Sequence, residues 1–501
     1  MSSQIKKGAI ISYATIFINI VIGFLYTPWM IRTIGKSDYG LYILATSFLS
    51  YFVMDFGLSQ TIARYLAKYK IENKINEIKN LLGLVGKVYL ILNFLIIIIL
   101  IIVYFFSDQI FVKLTQEEIV KFKNIYVIVG FYSLLSFTFL PLDSIFIAYE
   151  KFSVLKKLDL LNKLGTVALM IVFLFLGYKL YALVLINALV TIIVISIKLI
   201  ISYNWLQIRI NFSYKDRQLL KELFKFSFWV SVIGIAQRLL VNISPTVLGM
   251  VSGTEQIAIF SIGVVIEGYI WTLAHALNGL FLPEISRLEK KDDNKTEITN
   301  LMIKVGRIQL LIMGLFFIGL IVLGKDFILL WMGNGFSASY YVILFLILPS
   351  IITITQEVAY TYLFVINELK YRAILFLTAS IISFIISYYL SSLYGAIGSA
   401  IGIFVGVMLC HVIGMNYIYW KKIKLDIPRF YKEVFGRQLF LWIIILLIGF
   451  FINKNIRFEN LWLSFIFKGV FLSILFILGQ WFYGMKGEEK NMIKKLFKGR
   501  L

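Results

Sequence analysis

Residues 224–250 read FKFSFWVSVIGIAQRLLVNISPTVLGM, and after the turn Val251-Ser252-Gly253-Thr254-Glu255-Gln256 residues 257–283 read IAIFSIGVVIEGYIWTLAHALNGLFLP. Arg238 falls near the middle of the first apolar run, where an arginine costs about 2.5–3.5 kcal/mol on insertion. Such a charge has to face protein or water. Steps of three and four residues around it pick out Ser227, Ser231, Gly234, Asn242, Pro245 and Gly249, a small and polar stripe on an otherwise apolar helix. The second run repeats the pattern with Glu267, Trp271 and Asn278, and His275 lies beside that face. The two helices read as one wall of a polar cavity inside a membrane protein.

Sixty per cent of the chain is hydrophobic and only 15% charged, which excludes an ordinary soluble domain because too little polar surface remains to cover the core. Apolar runs long enough to cross a bilayer give fourteen candidate spans, near 8–31, 38–57, 83–106, 124–148, 163–178, 180–203, 224–250, 257–283, 305–324, 340–366, 373–392, 396–419, 438–452 and 461–485. With the amino terminus inside, roughly 35 of the 49 Lys and Arg fall in cytoplasmic segments and about 9 in external ones. Both termini are then cytoplasmic. The net charge of +22 therefore sets topology, with anionic lipid as a secondary contact and no nucleic acid as partner. The first apolar run is too long for a cleaved signal core, so it is read as a retained span. The lone Cys410 lies in a late span and fills core.

The expected fold is an all-α polytopic bundle with two pseudo-symmetric six-helix lobes around a central cavity and two further helices. Its parts are an N-lobe at 1–203, a cytosolic connector at 204–223, a C-lobe at 224–419, peripheral spans thirteen and fourteen at 438–485, and a basic tail at 486–501. Pro28 and Pro245, each near the external end of the first helix of its half, point to a weak internal repeat. Span one carries Ser12, Thr15, Asn19 and Gly23 at helical spacing, a stripe like that of span seven. Residues 58–82 read as a cytosolic amphipathic helix. Lys87, Lys198, Arg307 and Lys468 sit near span ends, where they are expected to snorkel to the interface. Pro28, Pro141, Pro245 and Pro349 lie in or at the ends of spans as candidate hinges.

No loop is long enough for a soluble catalytic domain, and no phosphate-cradling glycine loop, zinc spacing or nucleophile motif is present in the sequence. No catalytic residue, metal or cofactor is assigned. Uphill transport would then draw on an ion gradient, H+ or Na+. Glu267, Glu357, Asp143 and His275 are the candidate coupling groups, and a structural ion pair with Arg238 is the alternative for the two glutamates. Asp55 near a span end and His411 at membrane depth complete the ionisable set.

Pro28-Trp29-Met30-Ile31-Arg32-Thr33-Ile34-Gly35, then Tyr39-Gly40-Leu41-Tyr42, Asp55-Phe56-Gly57-Leu58 with Arg64, and Pro283-Glu284-Ile285-Ser286 resemble the polysaccharide-unit (O-antigen repeat-unit) flippases of the multidrug, oligosaccharidyl-lipid and polysaccharide exporter superfamily. The resemblance spans the chain and implies alternating access in the bacterial plasma membrane. The implied substrate is an oligosaccharide linked through pyrophosphate to undecaprenol, and other polysaccharide-assembly proteins are the implied partners. An arginine fork suits phosphate oxygens, so Arg238 is the first substrate contact. Asn19, Asn242, Trp271 and Asn278 are expected to meet the sugars. Relatives of this kind often carry an acidic residue shortly after the span-seven arginine. Here Asn242 stands in that region, which weakens any carried-over ion site. The alternatives are a cation-coupled multidrug antiporter of the same superfamily, which a central arginine disfavours, and a lipid II flippase, whose early spans would hold several arginines. A membrane glycosyltransferase or polymerase ranks last.

Overall fold

The computed structural model describes residues 3–51, 58–205, 209–275, 282–456, 458–487, 489–491 and 494, with the side chains of 3–16, 18, 60, 205, 226, 227, 275 and 283 outside the description. Two compact units result, Met1–Ser261 with Ser380–Ser399, and Ile262–Ala379 with Ala400–Leu501. Eleven helices are long and apolar enough to span a bilayer among the described residues, or twelve if one bent pair counts as a single span. The expected spans at 8–31 and 38–57 are not among them and fall on Ser3–Ile34 and Lys36–Ser50.

In the first unit α1 (Ser3–Ile34), α2 (Lys36–Ser50), α3 (Leu58–Ile71), α4 (Ile75–Ile110), α5 (Gln116–Thr138), α6 (Pro141–Ala148), α7 (Phe152–Phe175), α8 (Lys179–Ile200) and α9 (Arg217–Val251) lead into α10 (Thr254–His275). Helix α2 packs on α5 and α9, α1 on α7, and α3 on α4 and α6. The helix expected over 58–82 breaks instead at Glu72-Asn73-Lys74, where Asn73 adopts φ 54°. Asparagine tolerates that left-handed conformation, and residues 75–82 become the first turns of α4.

The start of α5 ties three helices together. Thr115 and Glu118 form a reciprocal capping box, with the Thr115 amide donating to Glu118 Oε2 at 2.9 Å. The other carboxylate oxygen accepts from Ser37 at 2.6 Å and from Thr254 at 2.6 Å, in the first turns of α2 and α10. The two hydroxyls are 3.0 Å apart. Gly35 (φ 97°) and Gly253 (φ 93°) make the turns before them, which β-carbon-bearing residues adopt only with strain. A Cβ on Gly40 would overlap the Thr254 backbone, so this glycine lets α2 close on the start of α10.

In the second unit come α11 (Leu282–Leu288), α12 (Asn294–Met332), α13 (Ser339–Thr355), α14 (Glu357–Val365), α15 (Leu369–Tyr394), α16 (Ala396–Val407), the π-helical turn Met408–Gly414, α17 (Met415–Tyr417), the π-helical turn Ile418–Lys422, α18 (Ile427–Asn455) and α19 (Leu461–Gly479). The parts of α15 and α16 at 380–399 belong to the first unit. Helices α13 and α14 meet at a bend of 55°. The bend falls at Gln356, whose amide donates to Asn416 at 2.7 Å; Pro349 lies inside α13.

Helix α12 is the spine of this unit, and α18 and α19 pack along it. Arg307 was expected to snorkel, yet it is 2% exposed. It forks onto the Glu489 carboxylate and donates to the carbonyls of Glu433 at 2.9 Å and Gly484 at 2.9 Å. Glu433 in turn binds Lys486 at 2.8 Å and Arg429 at 2.8 Å. A carboxylate supplied by the tail fixes the charge in place, so there is no need to reach for water. Lys468, likewise expected to snorkel, is buried and donates to Asn453 at 2.8 Å. Gln438 and Gln480 exchange amide bonds between α18 and the turn after α19, at 3.1 and 2.6 Å.

Removing one partner of a buried ion pair strands the other, at about 3–5 kcal/mol. Arg307→Ala is therefore expected to lower the unfolding temperature sharply and to release the chain around Lys486 to protease before the rest of the molecule is cut. Thermal unfolding and limited proteolysis in detergent check both.

Candidate transport site

Helix α9 begins at Asp216, whose carboxylate accepts from the Leu219 amide at 2.9 Å; that bond holds the carboxyl below the usual carboxylate range. The helix then runs unbroken through Pro245. The stripe read from the sequence divides along it. Toward the Val251 end it is buried: Pro245 and Gly249 are covered, and a Cβ on Gly249 would press on Leu44 and Phe111. Pro245 offers no N–H to the carbonyl four residues before it, and next to that carbonyl Tyr51 donates to the Asn242 carbonyl at 2.5 Å and lies 3.0 Å from Thr246. Toward the start of the helix the stripe opens. Ser231, Gly234 and Asn242 are half-buried and Arg238 is exposed, with the Asn242 amide donating to the Arg238 carbonyl at 3.2 Å. The small residues at 245–249 thus serve packing, and the polar ones at 231–242 remain presented. The side chain of Ser227 lies outside the described residues.

On α1, Asn19 is half-buried with its carbonyl oxygen lacking a hydrogen-bond partner among the described residues, and Pro28 is buried inside the helix. Asp143, at the start of α6 behind Pro141, pairs with Lys198 at 2.7 Å. Lys198, expected to snorkel, thus has a carboxylate partner. Lys87, expected to snorkel, donates to the Tyr214 carbonyl at 2.7 Å.

In the second unit Glu267 on α10 accepts from the Trp271 indole at 3.2 Å and lies 3.1 Å from the Ser350 hydroxyl on α13. Ser350 also lies 3.0 Å from the Leu346 carbonyl, and its one proton serves only one of these acceptors at a time. Gly263, one turn before Glu267, sits where a Cβ would overlap Val342 of α13, so a glycine is what brings the two helices this close. Glu357 is half-buried at the start of α14. Asp55, Asn278 and the side chains of Ser12, Thr15, His275 and Pro283 lie outside the described residues. Among the described residues no three His, Cys, Asp or Glu side chains gather as a metal site.

Two features went unread in the sequence. The Thr115–Glu118 box has a local signature that marks a helix start, but nothing local announces that the same carboxylate also holds Ser37 and Thr254. The second is the surroundings of Arg372, an arginine at the start of a span, whose neighbours come from α14 and from the π-helical turn.

The fold is like that of solved MurJ and MATE structures. The chain is similar to the solved structure of the lipid II flippase MurJ in an inward closed conformation, at 15% identity, with 93% of this chain and 98% of that one covered and a TM-score of 0.68. It is also similar to an inward-facing multidrug resistance MATE family transporter, at 15% identity with 85% and 99% covered and a TM-score of 0.59. A third is a mutant form of the Vibrio cholerae MATE transporter VcmN, at 12% identity with 83% and 97% covered and a TM-score of 0.53. The sequence profile of the family described as "Polysaccharide biosynthesis protein" matches residues 5–288, and the chain belongs to that family. No curated protein matches the chain in sequence.

If the open half of the α9 stripe faces water, a cysteine there can ionise to the reactive thiolate. Arg238→Cys in nanodiscs is expected to react with a charged, membrane-impermeant thiol reagent, whereas Leu240→Cys, at a position 6% exposed, stays unlabelled. Labelling of Arg238→Cys by a bilayer-soluble reagent alone would place the stripe against lipid.

Proposed function

We propose that this protein is a flippase, not an enzyme. It carries undecaprenyl-pyrophosphate-linked oligosaccharide repeat units across the bacterial plasma membrane for surface-polysaccharide synthesis, through fourteen spans with both termini cytoplasmic. The observation that carries this reading is Arg238, exposed halfway along a 35-residue helix whose apolar character leaves no cheap place for a charge. A pyrophosphate cannot cross hydrocarbon unaided, and a guanidinium fork matches its oxygens. Membership of a polysaccharide-biosynthesis family and likeness in fold to a lipid II flippase favour a lipid-linked glycan over a cationic drug. Asn19, Asn242, Trp271 and Asn278 meet the sugars in this reading.

Glu267 is the best-placed coupling group. With its carboxylate ionised, the Ser350 proton bonds it. Once the carboxyl is protonated, Ser350 turns to the Leu346 carbonyl on its own helix, one position from Pro349. A proton thus changes how α10 holds α13. Asp143 is the weaker candidate because Lys198 already neutralises it, and Glu357 and His275 remain proposals. Pro28, Pro141, Pro245 and Pro349 are the proposed hinges.

Lipids extracted from strains with and without the protein test the substrate by mass. A lipid-linked oligosaccharide is expected to accumulate in its absence, and Arg238→Gln to lower flipping about 10–100-fold, the weight of one or two charge-assisted bonds. An unchanged lipid-linked pool together with increased drug sensitivity would favour the antiporter instead.

Alternating access would part the starts of α2 and α10 when the external side opens. The pair Ser37→Cys and Thr254→Cys, at positions whose hydroxyls are 3.0 Å apart, is expected to cross-link on oxidation and stop flipping, with recovery on reduction. Full activity of the oxidised double variant would show that this end never opens.

A further inference from the structure

We propose that the second unit holds a separate oxyanion site, centred on Arg372, for the phosphate of a lipid headgroup. The guanidinium carbon of Arg372, in the first turn of α15, sits 3.4 Å from the Tyr360 ring centroid on α14 and 4.7 Å from that of Phe376. Phe376 stacks on the His411 ring at 3.6 Å with an interplanar angle of 21°. Ring contacts fix the plane of an arginine through its face and leave its N–H groups, which lie in that plane, free to donate.

At least one of those donors is unused. Arg372 Nε is buried with no hydrogen-bond partner among the described residues, and so is His411 Nε2. His411 itself is 8% exposed, while Arg372 is half-buried and therefore reachable from one side. Buried polar groups are ordinarily bonded, so two orphans joined through one aromatic ring mark a place where a ligand supplies the missing partners. His411 belongs to the π-helical turn Met408–Gly414, and such turns recur at functional sites. Arg307 gives the contrast within the same unit, since its guanidinium is saturated by Glu489 and two carbonyls.

The surroundings select the ligand. Lys370 at the start of α15 and Lys421, Lys422 and Lys424 around the end of the second π-helical turn leave this end of the unit basic. Lys370 is paired with Glu368 at 3.0 Å. A free anion would have to be drawn from water to a helix end at the membrane surface, whereas a lipid phosphate is already there. On the topology proposed above this is the cytoplasmic end. In that respect the inference rests on the flippase reading: the site would receive the pyrophosphate lipid before Arg238 does. A phospholipid of the same leaflet has the same chemistry, and the experiment separates the two sources.

Full-length protein, delipidated in detergent, is titrated with polyprenyl pyrophosphate, phosphatidylglycerol and neutral polyprenol, with binding read by native mass spectrometry. Arg372→Gln is expected to weaken the pyrophosphate lipid by about tenfold or more, and Arg372→Lys by less, with polyprenol binding unmoved. The same dependence for phosphatidylglycerol but not for the pyrophosphate lipid would assign the site to a membrane phospholipid, and it would stand even if lipid extraction overturned the flippase reading. Wild-type affinity of Arg372→Gln for both phosphate lipids would overturn the proposal and leave the stack a packing device. Should Arg372→Gln fail to fold, His411→Gln and Arg372→Lys carry the test, and unchanged phosphate-lipid binding in both would overturn it equally.

Discussion

Hydrocarbon offers no water to a polar group, and in this chain that constraint sorts the charged residues into two kinds. Arg307, Lys468, Lys87 and Lys198 are pinned: each spends its donors on a carboxylate, an amide or a carbonyl within its own unit. Arg238 and Arg372 are presented. One is exposed on α9, and the other is held by a ring contact with its Nε–H lacking a partner among the described residues. A saturated arginine stabilises a fold but has nothing left for a ligand. An arginine that is held in place and unsaturated is already oriented before the ligand arrives.

The same logic explains why one carboxylate does so much in the first unit. Glu118 closes the cap of its own helix and accepts the hydroxyls of Ser37 and Thr254. These two residues are separated by 217 positions, the spacing that also relates Pro28 to Pro245. Each follows closely on a glycine of positive φ, Gly35 or Gly253. One carboxylate oxygen, with two lone pairs, can serve two equivalent helix starts at once, and the ion pair of Lys36 with Glu255 at 3.1 Å fastens the same two starts. The hydroxyls of Ser37 and Thr254 in this knot are short in reach. A modest displacement of either turn would therefore break several bonds together, which is what a two-state contact requires.

Much of the architecture was legible because membrane spans write themselves as uninterrupted apolar runs, and the α9 stripe was legible because helical spacing is local. What escaped the sequence was non-local or depended on a single dihedral. The break at Asn73 turned an expected long amphipathic helix into α3 and the start of α4. The bend at Gln356 is stabilised by Asn416, 60 positions away. Arg307 looked like a snorkelling residue because its partner, Glu489, comes from the far tail, 182 positions on. The stripe itself carried two meanings under one pattern. Small residues at 245–249 let α2 approach, and polar ones at 231–242 stay open, a division that depends on which neighbour lies alongside.

Glu267 shows how far such a reading can be carried. An ionised carboxylate at membrane depth requires donors, and here Trp271 and Ser350 supply them. The indole has no alternative role, being donor only. The serine has one, because the Leu346 carbonyl lies at 3.0 Å, nearly the same distance as the carboxylate. A donor with two acceptors in reach can change partner when the charge on one of them changes, because an ionised carboxylate draws it more strongly than a neutral carbonyl does. In the proposed coupling role, protonating Glu267 would weaken the demand for the Ser350 donor and loosen this bond between α10 and α13, one position from Pro349. The Glu489 pairing of Arg307 offers no such exchange, because Nε, Nη1 and Nη2 each already donate to a partner. The chain thus places its exchangeable bond where α10 meets α13 and its unexchangeable ones along α12.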